Sequence, residues 1–270
     1  MSEGAVGAPT AVAIELRGVT KAFRGKPVLR GVDLAIGAGE TTVILGGSGS
    51  GKSVCMKHMI GLLRADAGQV RVLGRDVTRI SESQWVPVRR DFGMVFQSAA
   101  LFDSLPVFEN VAYPIREHER WEEARIAERV AWCLANVGLA GVEKLLPAEL
   151  SGGMRKRVGV ARAIALAPKI ILYDEPTTWL DPANSRRIGE LIQRLQRELG
   201  ATSVVVTHDL ELAFAIADRV ALLKSGRIVV NGPAQQVRDS GDPELREFIE
   251  GAEPQPILAS GGATKEARHG

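Results

Sequence analysis

Cysteine is nearly absent from this chain, and its scarcity removes two structural classes at once. Cys55 and Cys133 are the two cysteines among 270 residues. They lie far apart in periodic apolar segments, and neither belongs to a CxxC pair or a Cys/His cluster of metal-ligand spacing. A disulfide framework and a structural zinc site are thereby excluded, and both residues read as free thiols in a reducing compartment. Charge of one sign is also scarce: the formal net charge is only +2. The chain lacks the basic stripe that holds nucleic acid non-specifically, and no nucleic-acid partner is expected. No apolar run reaches the roughly 18 residues that cross a bilayer, so any place at a membrane would be peripheral. Met1–Thr10 carries an acid at Glu3 and has neither the basic nor the apolar region of a leader peptide. No internal repeat is visible.

What is present is enough apolar material, 45% of the residues, to fill a sizeable core, as one α/β domain with an inserted subdomain or as two small domains. Ala11–Leu16, Val28–Ile36 and Thr41–Leu45 read as strands separated by the turns Gly25-Lys26-Pro27 and Gly37-Ala38-Gly39. Lys52–Leu63 is helical, and Gln69–Leu73 and Asp91–Phe96 return to strand character around the turn Gly74-Arg75-Asp76. From Leu105 to Leu150 the apolar residues Ile126, Val130, Leu134 and Val137 recur at helical spacing, which predicts a mainly helical insert. Helices over Gly152–Ala167 and Ala183–Leu199 flank an apolar strand at Ile170–Tyr173, and Gly200 stops the second helix. A strand at Ser203–Val206, a helix at Leu210–Ala217 and a hairpin around Ser225-Gly226 follow. Alternation of this kind predicts a largely parallel sheet with helices on both faces. The tail after Ala252 has little to bury and reads as disordered.

Gly46-Gly47-Ser48-Gly49-Ser50-Gly51-Lys52-Ser53 fits G-x-x-x-x-G-K-[ST] and falls between a strand and a helix, where the mechanism requires it. Its glycines let successive backbone N–H groups face phosphate oxygens, and the positive end of the following helix adds to the field. Lys52 would reach the β/γ oxygens and Ser53 Oγ would ligate Mg²⁺. The apolar strand at Ile170 ends in Asp174-Glu175, at the sheet edge where α/β ligand sites form. Asp174 would hold the metal through a water, and Glu175 would orient and polarise the water that attacks the γ-phosphate. As an isolated Asp-Glu pair this is an ordinary solvated turn; beside a phosphate loop it becomes a site.

Leu150-Ser151-Gly152-Gly153-Met154-Arg155-Lys156-Arg157 resembles the LSGGQ-type signature of ABC ATPases, and further elements of that pattern follow in order. By this resemblance Gln97 is the glutamine that contacts metal and attacking water, Leu180-Asp181 the D-loop, His208 the switch histidine and Phe23 the aromatic under the adenine. The resemblance covers roughly residues 14–232. It implies a P-loop NTPase (RecA-like) α/β core with an N-terminal antiparallel β subdomain and a helical signature insert. The ATPase domain would span 11–241, with its insert at about 105–165 and a C-terminal extension at 242–270. Ser151 with the amides of Gly152 and Gly153 makes a second anion-binding surface at a helix start. In the family it closes on ATP held by an opposite subunit, so a homodimer, ATP and Mg²⁺ are implied. Trp179 departs from the pattern, because the family usually has glycine there. His58 and His118 have no supporting context and read as surface or helix residues.

The segment Phe96–Glu117, Met154 and the stretch Asp242–Ile249 resemble the ATPases of Mla/Mce-type lipid transporters. That resemblance implies a multi-span permease partner whose coupling helix meets the segment after Gln97, where Leu101, Phe102 and Phe108 would suit a docking groove if exposed and otherwise pack within the helical insert. It also implies a lipid-carrier substrate-binding protein, phospholipid as cargo, and a place on the cytoplasmic face of the inner membrane. Leu245, Phe248 and Ile249 form a small apolar helical face that could clasp a partner subunit. Other readings are the ATPase of an importer for another substrate, a non-transport ABC protein, or a signalling NTPase.

Overall fold

Residues 11–252 are described by a computed structural model; the expectations of no leader at the N-terminus and of disorder after Ala252 lie outside them. The chain opens with β1 (Val12–Phe23) and β2 (Lys26–Gly37), an antiparallel hairpin. Its turn is Arg24-Gly25, both left-handed at φ 49° and 77°, as a two-residue hairpin connection requires. Lys26 and Pro27 therefore belong to β2 and not to the predicted turn. The strand predicted at Ala11–Leu16 runs on to Phe23 because Gly18 breaks the register without ending the pairing.

β3 (Thr41–Leu45) leads to α1 (Lys52–Met59). This helix stops short of the predicted Leu63: Gly61 turns left-handed, its N–H donating to His58 O at 3.2 Å while Leu62 N–H donates to Lys57 O at 2.9 Å. After β4 (Ala67–Val72) and the short β5 (Arg75–Asp76) comes α2 (Glu82–Arg89), which the sequence reading missed. Pro87 hid it, although Ser81-x-x-Gln84 is a helix-start pattern, realised in the bond from Ser81 N–H to Gln84 Oε1 at 2.9 Å. β6 (Phe92–Val95) precedes the helical insert: α3 (Val107–His118), α4 (Glu123–Asn136), a 3-10 turn at Pro147–Glu149 and α5 (Gly152–Ala163). β7 (Ile170–Asp174), α6 (Pro182–Leu199), β8 (Thr202–Thr207), α7 (Leu210–Ile216), β9 (Arg219–Lys224) and β10 (Arg227–Pro233) follow, then α8 (Ala234–Asp239) and α9 (Pro243–Ala252).

Two sheets result. The outer one, in the order β2-β1-β4-β5, is antiparallel; the inner one, β10-β9-β3-β8-β7-β6, is parallel except for β10. The inner strands are apolar without alternation because both faces are covered. Val43, Leu45, Ile171, Tyr173 and Val205 point into a core shared with α3–α7. Ile44, Ile170, Leu172, Val204 and Val206 point the other way, into a core shared with α1, α2 and the outer sheet. Leu245 of α9 is 2% exposed in the first core, with Phe248 and Ile249 packed beside it. The apolar face of this helix is thus spent on its own chain.

His58 and His118 both lie in helices, as expected: His58 is buried within α1, its Nδ1 2.7 Å from Val54 O, and His118 is exposed at the end of α3. Leu101 and Phe108 pack against the core, leaving Phe102 exposed on Tyr113 with ring centroids 4.7 Å apart. No helix among the described residues is long and apolar enough to cross a membrane.

Candidate functional site

The parallel strands β3, β7 and β8 end side by side, so the loops after them converge. Gly46 opens the loop after β3 where a Cβ would lie 2.5 Å from Leu223 O, and Gly51 closes it at φ 108° with Leu29 Cδ2 2.9 Å from a Cβ position. No other residue fits either place without displacement. Lys52, the first residue of α1, is 8% exposed, and its Nζ donates to Gly46 O at 2.7 Å and Gly47 O at 3.2 Å. Ser53 Oγ donates to Asp174 Oδ1 at 3.1 Å, bringing the predicted metal pair together. Burial raises the Asp174 carboxyl above its ordinary range, opposed by the Ser53 hydrogen bond.

Glu175 sits just beyond β7 with a left-handed backbone, φ 47°, and is almost fully buried. Its Oε1 lies 3.3 Å from Lys52 Nζ, and its Oε2 2.9 Å from His208 Nδ1. Thr178 Oγ1 donates to the same Oε2 at 3.4 Å. Lys52, Glu175 and His208, far apart in sequence, thus form one connected polar chain across three strand ends. Together with Gln97 they line a groove of about 1080 Å³ that also takes in residues 47–53.

One residue of this constellation carried no assigned role in the sequence reading. Lys156 on α5 is 6% exposed; its Nζ donates to Gln97 O and to Glu175 O, the latter at 3.3 Å. Burial lowers its affinity for the proton, and the Glu175 and Asp174 carboxylates oppose that. It fastens the segments carrying Gln97 and Glu175 to one helix. The available signal was a lysine on the apolar side of α5, between Gly153 and Val160.

Other predicted residues lie elsewhere. Ser151 caps α5 by accepting Met154 N–H at 3.2 Å, and Asp181 caps α6 by accepting Asn184 N–H at 2.9 Å. Neither they nor Gly152, Gly153 and Phe23 are among the residues lining the groove. Phe23 stands 42% exposed at the β1–β2 tip, with Lys21 Nζ 5.6 Å from its ring centre. Trp179 is 90% exposed, with φ 68°. No cluster of three or more metal-ligating side chains exists among the described residues. One carboxylate beside one hydroxyl suits an Mg²⁺ ion that completes its shell with water and substrate phosphates.

A glycine-rich loop on a helix start, with a buried lysine and carboxylates at the adjoining strand ends, defines a nucleoside-triphosphate-binding α/β protein. The family model described as ABC transporter matches residues 29–178. Similar curated proteins include the probable ribonucleotide transport ATP-binding protein mkl of Mycobacterium tuberculosis, 41% identical over 93% of this chain and 70% of that protein. Another is the methionine import ATP-binding protein MetN of Symbiobacterium thermophilum, 43% identical over 87% of this chain and 72% of its own length. A third is the intermembrane phospholipid transport system ATP-binding protein MlaF of Escherichia coli, 37% identical over 90% of this chain and 91% of MlaF. Among solved structures, the dimeric post-hydrolysis ATP-binding cassette MJ0796 with ADP and Pi superposes with a TM-score of 0.76 at 33% identity, covering 82% of this chain and 98% of that one. The chain belongs to the ABC transporter family, as an ATP-hydrolysing subunit.

Proposed function

We infer that this subunit energises a lipid transporter of the Mla/Mce type, with phospholipid as cargo. What carries the reading is extent of likeness: MlaF and this chain match over nine-tenths of each, 91% and 90%, whereas mkl is matched over 70% of its length. The Phe96–Glu117 resemblance supports the same choice. The higher identity to MetN, 43%, favours as a second reading an importer of another small substrate.

On this reading the amides of 46–53 and Lys52 hold the triphosphate, while Ser53, Gln97 and, through a water, Asp174 would hold Mg²⁺, which would offset the charge of the phosphates. Glu175 takes the proton of the attacking water, and His208 donates to a γ-phosphate oxygen. Lys52 leaves Glu175 for the phosphates when ATP arrives, which frees the carboxylate to act as a base. Ser151, Gly152 and Gly153, standing outside their own groove, serve the groove of a second copy, and Asp181 lies on that interface. The working unit is a homodimer beneath a multi-span permease, peripheral on the cytoplasmic face of the inner membrane, with a lipid-carrier protein and no nucleic acid. The ATPase domain covers 11–241, its helical insert about 105–165, and 242–270 form an extension.

The test is a mild-detergent pull-down of tagged Glu175→Gln protein with ATP and Mg²⁺, followed by mass spectrometry of proteins and extracted lipids. A multi-span permease with a lipid carrier and bound phospholipid is expected. Recovery of a sugar, amino-acid or metal importer would keep the ATPase and discard the lipid.

A further inference from the structure

We propose that a recess ringed by arginines, separate from the phosphate groove, binds the phosphate groups of a small polyanion. It lies between α5, α6 and the turn after α4 and holds about 380 Å³. Arg157, Arg187, Arg194 and Arg197 line it against the single carboxylate of Glu190. None of its lining residues lines the phosphate groove, so this second site is independent of the ATP-binding reading. On α6, Arg187, Glu190, Arg194 and Arg197 follow one another at intervals of three and four residues, which puts their side chains on one face. Like charges at such spacing repel. The one ion pair these arginines make among the described residues is loose, Arg194 Nε to Glu198 Oε1 at 4.0 Å.

Part of this charge has a structural use. α4 has no basic residue in its own last turn, and the carbonyls at its end are met instead from α5 and α6. Arg157 Nη1 donates to Val137 O at 3.2 Å and to Gly138 O at 3.3 Å, and Arg194 Nη2 donates to Asn136 O. That duty occupies one nitrogen of each guanidinium and gives no account of Arg187 and Arg197. Arg157 is half-buried and the other three are exposed. Burial and the neighbouring Arg187 guanidinium both lower the Arg157 pKa from its ordinary value, so two cations are held close together and repel. An anion seated between them removes that conflict, and each guanidinium fork can grip two oxygens of a tetrahedral group. A phosphate group carries roughly 1.5 to 2 negative charges where a carboxylate carries one, which suits four cations facing one acid. Soluble diphosphates and acidic lipid headgroups both present this chemistry.

The experiment is titration calorimetry at low salt with inorganic pyrophosphate on full-length Lys52→Ala protein, whose phosphate loop has lost its ammonium, and on the same protein carrying Arg187→Gln and Arg197→Gln. A single site is expected, weakened at least about tenfold by the two glutamines with the melting temperature of the ligand-free protein unchanged. Cosedimentation with phosphatidylcholine vesicles containing phosphatidic acid tells the two sources apart. Sedimentation that needs the arginines, without pyrophosphate binding, places the phosphate on a lipid; pyrophosphate binding without sedimentation places it on a soluble compound. Absence of both overturns the inference, as does binding that survives the two glutamines. A melting temperature that falls together with binding would mean that the arginines support the fold, and citrate bound as tightly as pyrophosphate would mean that phosphate is not selected; either result also overturns it.

Discussion

Glu175 is tied at both oxygens: the Lys52 ammonium lies beside one and the His208 imidazole beside the other. Glu175 is nearly buried, so its charge is held by these partners and not by water. Replacing it by glutamine keeps the shape and removes the proposed base. Glu175→Gln is expected to retain ATP binding and to lower turnover by about 10²- to 10⁴-fold in a phosphate-release assay; an unchanged rate would move the base elsewhere. The cysteines give a second prediction at this scale. Burial pushes both thiols up from 9.0 to about 12, so neither offers a thiolate at pH 8, and an aromatic disulfide reagent should react only after unfolding. A raised folded value favours the protonated form. The stability it contributes is intact below pH 9 and is lost as pH climbs from about 9 to about 12. Urea midpoints should fall over that window, and fall less in a Cys55→Ala, Cys133→Ala double variant.

Helix α5 does two jobs with one run of residues. Its exposed first turn presents Ser151 and Gly152, while Lys156, one turn on, reaches inward to two carbonyls on neighbouring loops. Lys156→Met fills similar space but leaves the carbonyls of Gln97 and Glu175 without that donor, a cost of about 1–3 kcal/mol. The urea midpoint should fall accordingly, and kcat should fall with KM little changed, because on the proposed mechanism both tied segments would border the attacking water. Equal kinetics would make Lys156 purely structural. The turn before α6 poses the opposite case, a side chain with little to hold it. Trp179 is left-handed at φ 68° and 90% exposed, so its ring contributes little packing within the chain while its backbone is strained. Trp179→Gly should leave the isolated chain unchanged or more stable by up to about 1 kcal/mol. A clear loss in the urea midpoint would show that the indole packs on something.

At the scale of the whole molecule the important fact is a separation. The phosphate loop and Glu175 face one groove, and the Ser151 helix start is not part of it. On the proposed reading these are two half-sites that do not meet, and a second copy related by a two-fold axis would complete each of them. Lys52→Ala disables one half and Gly153→Asp the other, where even a Cβ comes 3.1 Å from Asn184 Oδ1. Neither variant alone should hydrolyse ATP. Mixed in equal amounts they should recover activity, because pairs of unlike chains carry one intact composite site; no recovery would argue against sites shared between subunits.

Local chemistry made much of this legible in advance. The phosphate loop, the acids after Ile170–Tyr173 and the stop at Gly200 each depend on a few neighbouring residues, and all stand where the pattern placed them. Uninterrupted apolar strands fixed a sheet covered on both faces, because a strand without alternation has no side to give to water. Less legible was whatever depends on residues distant in the chain. The turn at Arg24-Gly25 and the passage of β1 through Gly18 follow from pairing with β2 and β4, which no local window contains. Lys156 reads as a charge in a basic stretch until α5 packs against the loops carrying Gln97 and Glu175. The apolar face of α9 was visible as a periodicity, but only packing decided that it lies on its own chain, with Phe248 at the groove. A motif is written in neighbouring residues; which surface a helix covers is set by long-range burial.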